Sequence, residues 1–140
     1  MKIINKLKKL IENKDLMVDI ENSFKFKDIT MEFLQNKHKL ESRQVRMLKN
    51  YYRGKANLPL SIKKSLLNTY SEFEKIVDSA FIENDLIHSR ELARHLNKNE
   101  DTIKIFFIYY YAKTGRVFEA RLGRPVQNLT ATLPINLQEI

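Results

Sequence analysis

Apolar residues return every three or four positions through most of this chain, and that spacing predicts helices. In the opening segment Ile3, Ile4, Leu7, Leu10 and Ile11 form one stripe while Lys2, Lys6, Lys8 and Lys9 fall outside it, the pattern of a basic amphipathic helix. Such a helix rests on an anionic membrane, on the body of the protein or on a second subunit. Its shortness and its lack of an aromatic anchor favour packing on protein. Between Leu16 and Phe26 polar and apolar residues alternate irregularly, which predicts a short helix or a connection. Further on, Ile62, Leu66, Tyr70, Phe73 and Val77 form a stripe that Leu67 and Ile76 widen. This predicts a scaffold helix over 61–81, with Asn57 as a possible cap and Pro59 near the first turn, where a missing amide does no harm.

The segment `DLIHSRELARHLNKNEDTIKIFFIYYYAKTG` combines two helical patterns across a polar break. Ser89 is suited to cap the first, whose inner face is Leu92, Ala93 and Leu96. Asp101 is suited to cap the second, whose stripe is Ile103, Phe106 and Tyr110. The β-branched and aromatic run over 103–111 equally fits a buried strand. The spacing of Leu92, Ala93, Leu96, Thr102 and Ile103 resembles the helix-turn-helix superfamily. In that pattern a Leu-Ala pair is followed by Leu four residues after the first Leu, and by a Thr-hydrophobic pair ten and eleven residues after it. This chain departs from it at Asn97, where the family often has Gly, and at Lys98, where it usually buries an aliphatic residue.

After Gly115, Val117 to Arg121 and Val126 to Thr130 read as two short strands around a turn containing Gly123. A hairpin in that place resembles the wing of winged-helix proteins, and the resemblance implies that Arg116, Arg121 and Arg124 meet phosphate or a minor groove. The same template fits residues 28–54 more weakly at a displacement of 58 residues. Ile29 then matches Ile87, Leu34 matches Leu92, Val45 matches Ile103, Leu48 matches Phe106, and Tyr51 and Tyr52 match Tyr109 and Tyr110. His38 stands where Leu96 stands in the second copy, and Leu40 is placed to fill the resulting gap from the position of Lys98.

Charge separates the two copies. Residues 1–70 hold 16 Lys and Arg against 7 Asp and Glu, and residues 71–140 hold 9 against 10. Nine of the basic residues lie within 37–64, where Glu41 is the single acid. On a helix whose inner side is Val45, Leu48 and Tyr52, the outward residues would be Arg43, Arg46, Lys49 and Arg53, joined by Gln44 and Asn50. Arg suits guanine edges, Gln and Asn suit adenine edges, and basic side chains suit phosphate. The second pair's long helix is apolar nearly all round. Its Phe107, Ile108 and Tyr111 side is expected to meet the scaffold or another subunit, and the second motif's contact with nucleic acid is expected only in the first turn, near Ser89, Arg90, Thr102 and Lys104, and in the wing. A further reading stacks Tyr109, Tyr110 and Tyr111 on single-stranded bases.

Composition narrows the function. The chain has 140 residues, a formal charge of +8, no cysteine, three glycines and three prolines. That excludes disulfide, thiolate and cysteine-metal chemistry and disfavours a loop-rich barrel. No apolar stretch approaches the ~20 residues of a membrane span, and lysines interrupt the start, so a cytoplasmic protein with no membrane partner is expected. His38, His88 and His95 match no zinc spacing, and phosphate-loop, dinucleotide and nucleophile-elbow motifs are missing. No enzyme, cofactor or metal is expected.

The sequence therefore predicts a mainly α protein, a helix-turn-helix or winged-helix-like bundle with a small C-terminal β-hairpin. Its parts are an N-terminal amphipathic helix and connection (1–22), a possible first helix-turn-helix with a basic face (23–57), a scaffold helix (58–81), a helix-turn-helix with a wing-like hairpin (82–132) and a tail (133–140). The expected function is non-catalytic binding of double-stranded DNA, as a homodimer, in transcriptional regulation. Plasmid or viral replication, partition or packaging would use the same surface. The alternative is a structural or protein-interaction bundle that docks a partner on its apolar aromatic surface.

Overall fold

A computed structural model describes residues 2–61, 63–83 and 87–117. Among the described residues there are seven helices and no strand: α1 (Lys2–Ile11), α2 (Lys14–Asn22), α3 (Met31–His38), α4 (Ser42–Lys55), α5 (Lys64–Glu83), α6 (Ser89–Leu96) and α7 (Glu100–Thr114). The fold is mainly helical, as the periodicity predicts. The expected wing is not supported: Val117 is not in a strand, and the rest of the hairpin, with Arg121 and Arg124, lies outside the described residues. The run over 103–111 is helix, not strand.

Several helix ends differ from expectation. Asn99, not Asp101, caps α7, its Oδ1 accepting from the Thr102 amide at 2.8 Å. His88, not Ser89, occupies the N-cap position of α6, and Asn13 and Thr30 cap α2 and α3 through their side chains. The scaffold helix starts at Lys64, and Asn57 does not cap it. With φ of 59°, Asn57 instead turns the chain after α4.

Among the described residues α2–α4 and α5–α7 form two similar halves, with α1 outside the repeat. Displacement by 58 residues carries α3 onto α6 and sets the first residue of α4 on that of α7. Each short helix ends in a left-handed residue at the same place, Lys39 (φ 55°, ψ 52°) and Asn97 (φ 55°, ψ 47°). Each end is closed by a matching backbone bond, Leu40 N to Gln35 O at 3.0 Å and Lys98 N to Ala93 O at 2.9 Å, the geometry that satisfies the last carbonyls of a helix. Asn97 is thus no arbitrary departure from glycine: after Gly, Asn adopts this conformation most readily. The paired core positions agree too, with Leu34, Leu92, Val45, Ile103, Leu48 and Phe106 all buried.

Two clusters fill the halves. Leu16, Ile20, Leu34, Val45 and Leu48 pack with Ile4 and Leu7 of α1, while Tyr70, Phe73 and Val77 of α5 pack with Leu92, Leu96, Ile103, Phe106 and Tyr110. Several aromatic pairs around α7 meet edge-on, as in Phe73–Phe107 (4.9 Å, 84°) and Tyr70–Tyr109 (5.0 Å, 87°), an arrangement that aligns ring edges with ring faces. Helix α7 lies between the clusters, sending Phe106, Phe107 and Tyr110 into one and Ile108 into the other. That position explains why its sequence is apolar nearly all round. The two surfaces expected to form a homodimer, the apolar α7 and the stripe of α1, are both taken up inside the chain.

Helices α4 and α7 meet at residues that are themselves equivalent. A β-carbon on Gly54 would stand 2.6 Å from the Ala112 β-carbon and 2.8 Å from the Tyr109 carbonyl oxygen, so the missing side chain sets how closely the helices approach. The Tyr51 and Tyr111 rings lie 6.2 Å apart, and the charge of Arg53 acts on Tyr109, the corresponding pair with the halves exchanged. The contacts are those of a two-fold relation within one chain.

Candidate nucleic-acid interface

The proposed basic face lies on α4 and divides into two parts. Arg43 and Arg46 stand exposed on its first two turns. The Arg43 guanidinium is 3.4 Å from Glu41, but with side chains 78% and 71% exposed this pair contributes little and leaves Arg43 available. One turn on, Lys49 and Arg53 are half-buried over one ring, the Lys49 ammonium 5.8 Å and the Arg53 guanidinium 5.1 Å from the centre of Phe24. Phe24 is itself fixed against Tyr52, with centroids 4.9 Å apart. Burial, with the Arg53 charge adding to it, pushes the Lys49 ammonium below its usual range. Phe24 is a site residue that sequence reasoning missed, because it lies in an irregular connection whose periodicity says nothing about α4.

The two amide side chains expected to read bases have structural duties. Gln44 Oε1 accepts from the Glu41 amide at 2.8 Å, half of a reciprocal capping box that starts α4. Asn50 is buried, donates to the Arg46 carbonyl at 3.0 Å and accepts from Arg53 at 2.9 Å. It orients Arg53 rather than facing solvent.

In the second half, Arg90 and Lys104 are exposed on the first turns of α6 and α7. Thr102 is engaged in the cap of α7, its hydroxyl 3.0 Å from Asn99 Oδ1. Arg116 is held within the chain: it donates to the Tyr110 hydroxyl at 3.2 Å, lies 3.4 Å from Asp78 and covers the Phe81 ring at 5.2 Å. The hydrogen bond to Tyr110 keeps its guanidinium firmly charged. Tyr109 and Tyr110 are buried, with hydroxyls donating to the Leu58 carbonyl at 2.5 Å and to Asp78 at 2.7 Å, so neither presents a face for base stacking. Burial pushes both phenols up from their ordinary values.

One titratable cluster lies beside the interface. Asp15, Asp19 and His38 bring ligand-type atoms within 4.8 Å of one another. The Lys37 ammonium, however, already lies 2.8 Å from Asp19 and 3.7 Å from Asp15, and His38 Nε2 lies 2.7 Å from Asp19. The acids therefore already have a cationic partner from the protein. In the second half the positions of Asp19 and His38 are held by Val77 and Leu96, both buried. A polar pair in one copy does the work of an apolar contact in the other, which accounts for the mismatch at His38.

Comparison with family models, with curated proteins and with solved structures finds no match to this chain.

Proposed function

We propose that the chain is a non-catalytic double-stranded DNA-binding protein of helix-turn-helix type, used in transcriptional regulation. Its working element is the α3–α4 pair. The observation that carries this reading is the exposed, basic start of α4, directly after a tight left-handed turn and backed by buried Val45 and Leu48. A helix so presented enters a major groove by its first turns, where Arg43 and Arg46 meet guanine edges or flanking phosphate. Lys49 and Arg53, held by Phe24 and Asn50, are suited to anchoring phosphates and setting register, because their positions are fixed before binding. Gln44 and Asn50 support the helix, and Arg116 supports the junction of α5 and α7. Arg90 and Lys104 form a weaker second surface. Binding acts by occupancy, blocking or recruiting other machinery.

The test is a titration of duplex DNA at several salt concentrations. Replacing Arg43 and Arg46 by Ala is expected to weaken binding and to lower the salt slope by ~0.9 for each phosphate that the variant leaves unneutralised. Unchanged affinity and slope would remove α4 from the interface. A second reading, a protein-interaction bundle, is favoured by a groove of about 560 Å³ between α5 and α6 whose lining includes Ile76, Ala80, Ile87 and Leu92. It predicts no duplex binding even at low salt.

A further inference from the structure

We infer that one chain spans two half-sites of a duplex without a second copy, α4 gripping one and α7 reading the other more weakly. The inference rests on the DNA-binding reading above and follows from the two-fold relation between the halves.

The segment leaving each long helix lies against the body of the other. The Leu58 carbonyl, past the end of α4, receives the Tyr109 hydroxyl from within α7. Val117, past the end of α7, packs in the cluster that contains Val45 and Leu48 of α4. Helices that pass in this way beyond the Gly54–Ala112 crossing carry their first turns to opposite sides of it. Arg43 and Asp101 each precede the crossing residue of their helix by 11 positions, which at ~1.5 Å per residue is about 17 Å along each arm. The two first turns then stand as much as ~33 Å apart, close to the ~34–36 Å between half-sites one helical turn apart. In ordinary helix-turn-helix dimers that span is made by two chains.

The equivalent exposed positions differ in charge. Arg43 and Arg46 of α4 correspond to Asp101 and Lys104 of α7, and all four are exposed. One arm carries two cations and the other a cation and an anion. Affinity should therefore come mainly from α4. The α7 arm adds discrimination, Asp101 accepting from a cytosine amino group and Lys104 donating to a guanine edge or phosphate. The target would have two unlike halves.

The experiment selects binders from a pool of duplexes with a randomised centre, using the whole chain, and measures stoichiometry on a selected duplex by sedimentation. One chain per duplex and two preferred blocks about one turn apart are expected. Lys104→Ala should erase preference in one block and Arg46→Ala in the other. Asp101→Arg should tighten binding and steepen the salt slope more than Glu72→Arg, which makes the same charge change on an exposed face of α5. A single block, two chains per duplex, or equal effects of Asp101→Arg and Glu72→Arg would overturn the inference while leaving the DNA-binding reading standing. No duplex binding at low salt would remove both.

Discussion

Helix propensity and packing make opposite predictions for Gly54, and the structure says which prevails. By propensity alone Gly54→Ala should stabilise α4, since Gly costs roughly 0.8–1 kcal/mol relative to Ala in a helix interior. Gly54 is the next-to-last residue of the helix, so the gain there is smaller. Against it stands a β-carbon 2.6 Å from the Ala112 side chain and 2.8 Å from the Tyr109 carbonyl oxygen, both shorter than any comfortable contact. The oxygen belongs to the α7 backbone, which moves only if the whole crossing opens. Overpacking of this kind costs about 1–3 kcal/mol, so the net loss should be about 1–2 kcal/mol, or ~3–7 °C in melting temperature for a chain of this size. Urea unfolding followed by far-UV circular dichroism reads the change as a lower midpoint at unchanged slope. Adding Ala112→Gly removes the shorter of the two clashes and keeps the longer. The double variant should recover part of the loss, with a coupling of roughly 0.5–1 kcal/mol between the two positions. A Gly54→Ala protein as stable as the parent, or more so, would refute the close crossing and with it the two-fold arrangement of the halves.

Acid should weaken the first half selectively. Hydrogen bonds from Lys37 and His38 outweigh desolvation and hold the Asp19 carboxyl below its ordinary value. The folded state thus takes up that proton less readily than the unfolded one, and the contribution of ionised Asp19 is present above about pH 4 and lost as pH falls through its folded value. Urea midpoints between about pH 2.5 and 6 should show this acid limb in the parent and a flatter one in Asp19→Asn. The joint change Asp19→Val with His38→Leu copies the second half's Val77 and Leu96 and should leave stability equal or raise it by ~1–4 kcal/mol, whereas Asp19→Val alone should lower it by roughly 1–3 kcal/mol. Gln44→Ala should cost about 0.5–2 kcal/mol of stability through the capping box, with little change in duplex affinity per folded molecule. A loss of affinity at constant stability would return Gln44 to the reading surface.

Much of the architecture is written locally. The stripes of α1, α5, α6 and α7, the polar break before α7 and the displacement of 58 residues between copies are all visible in residue spacing, because a helix must bury one face and the chain repeats the same solution. The second copy is the clearer because Leu96 keeps its apolar identity. In the first, Asp19 and His38 satisfy each other across two helices, and no periodicity predicts that a buried polar residue has a distant partner. The basic face is legible as charge at helical spacing, but its division is not. Whether Gln44 and Asn50 face a ligand or the protein depends on the cap of α4 and on Arg53, and the grip on Lys49 and Arg53 comes from Phe24 in a connection without pattern.

Residue order thus determines that the chain is helical, that it contains the same pair of helices twice, and that the first copy is basic while the second is not. Tertiary structure decides what the pairs do to each other. The apolar surface of α7 reads in sequence as a face for the scaffold helix or for another subunit; it closes within its own chain, on α5 and α6 on one side and on α4 on the other, where Gly54 lets two backbones approach more closely than any side chain would allow. Periodicity shows that a face must be buried; only the fold shows against what.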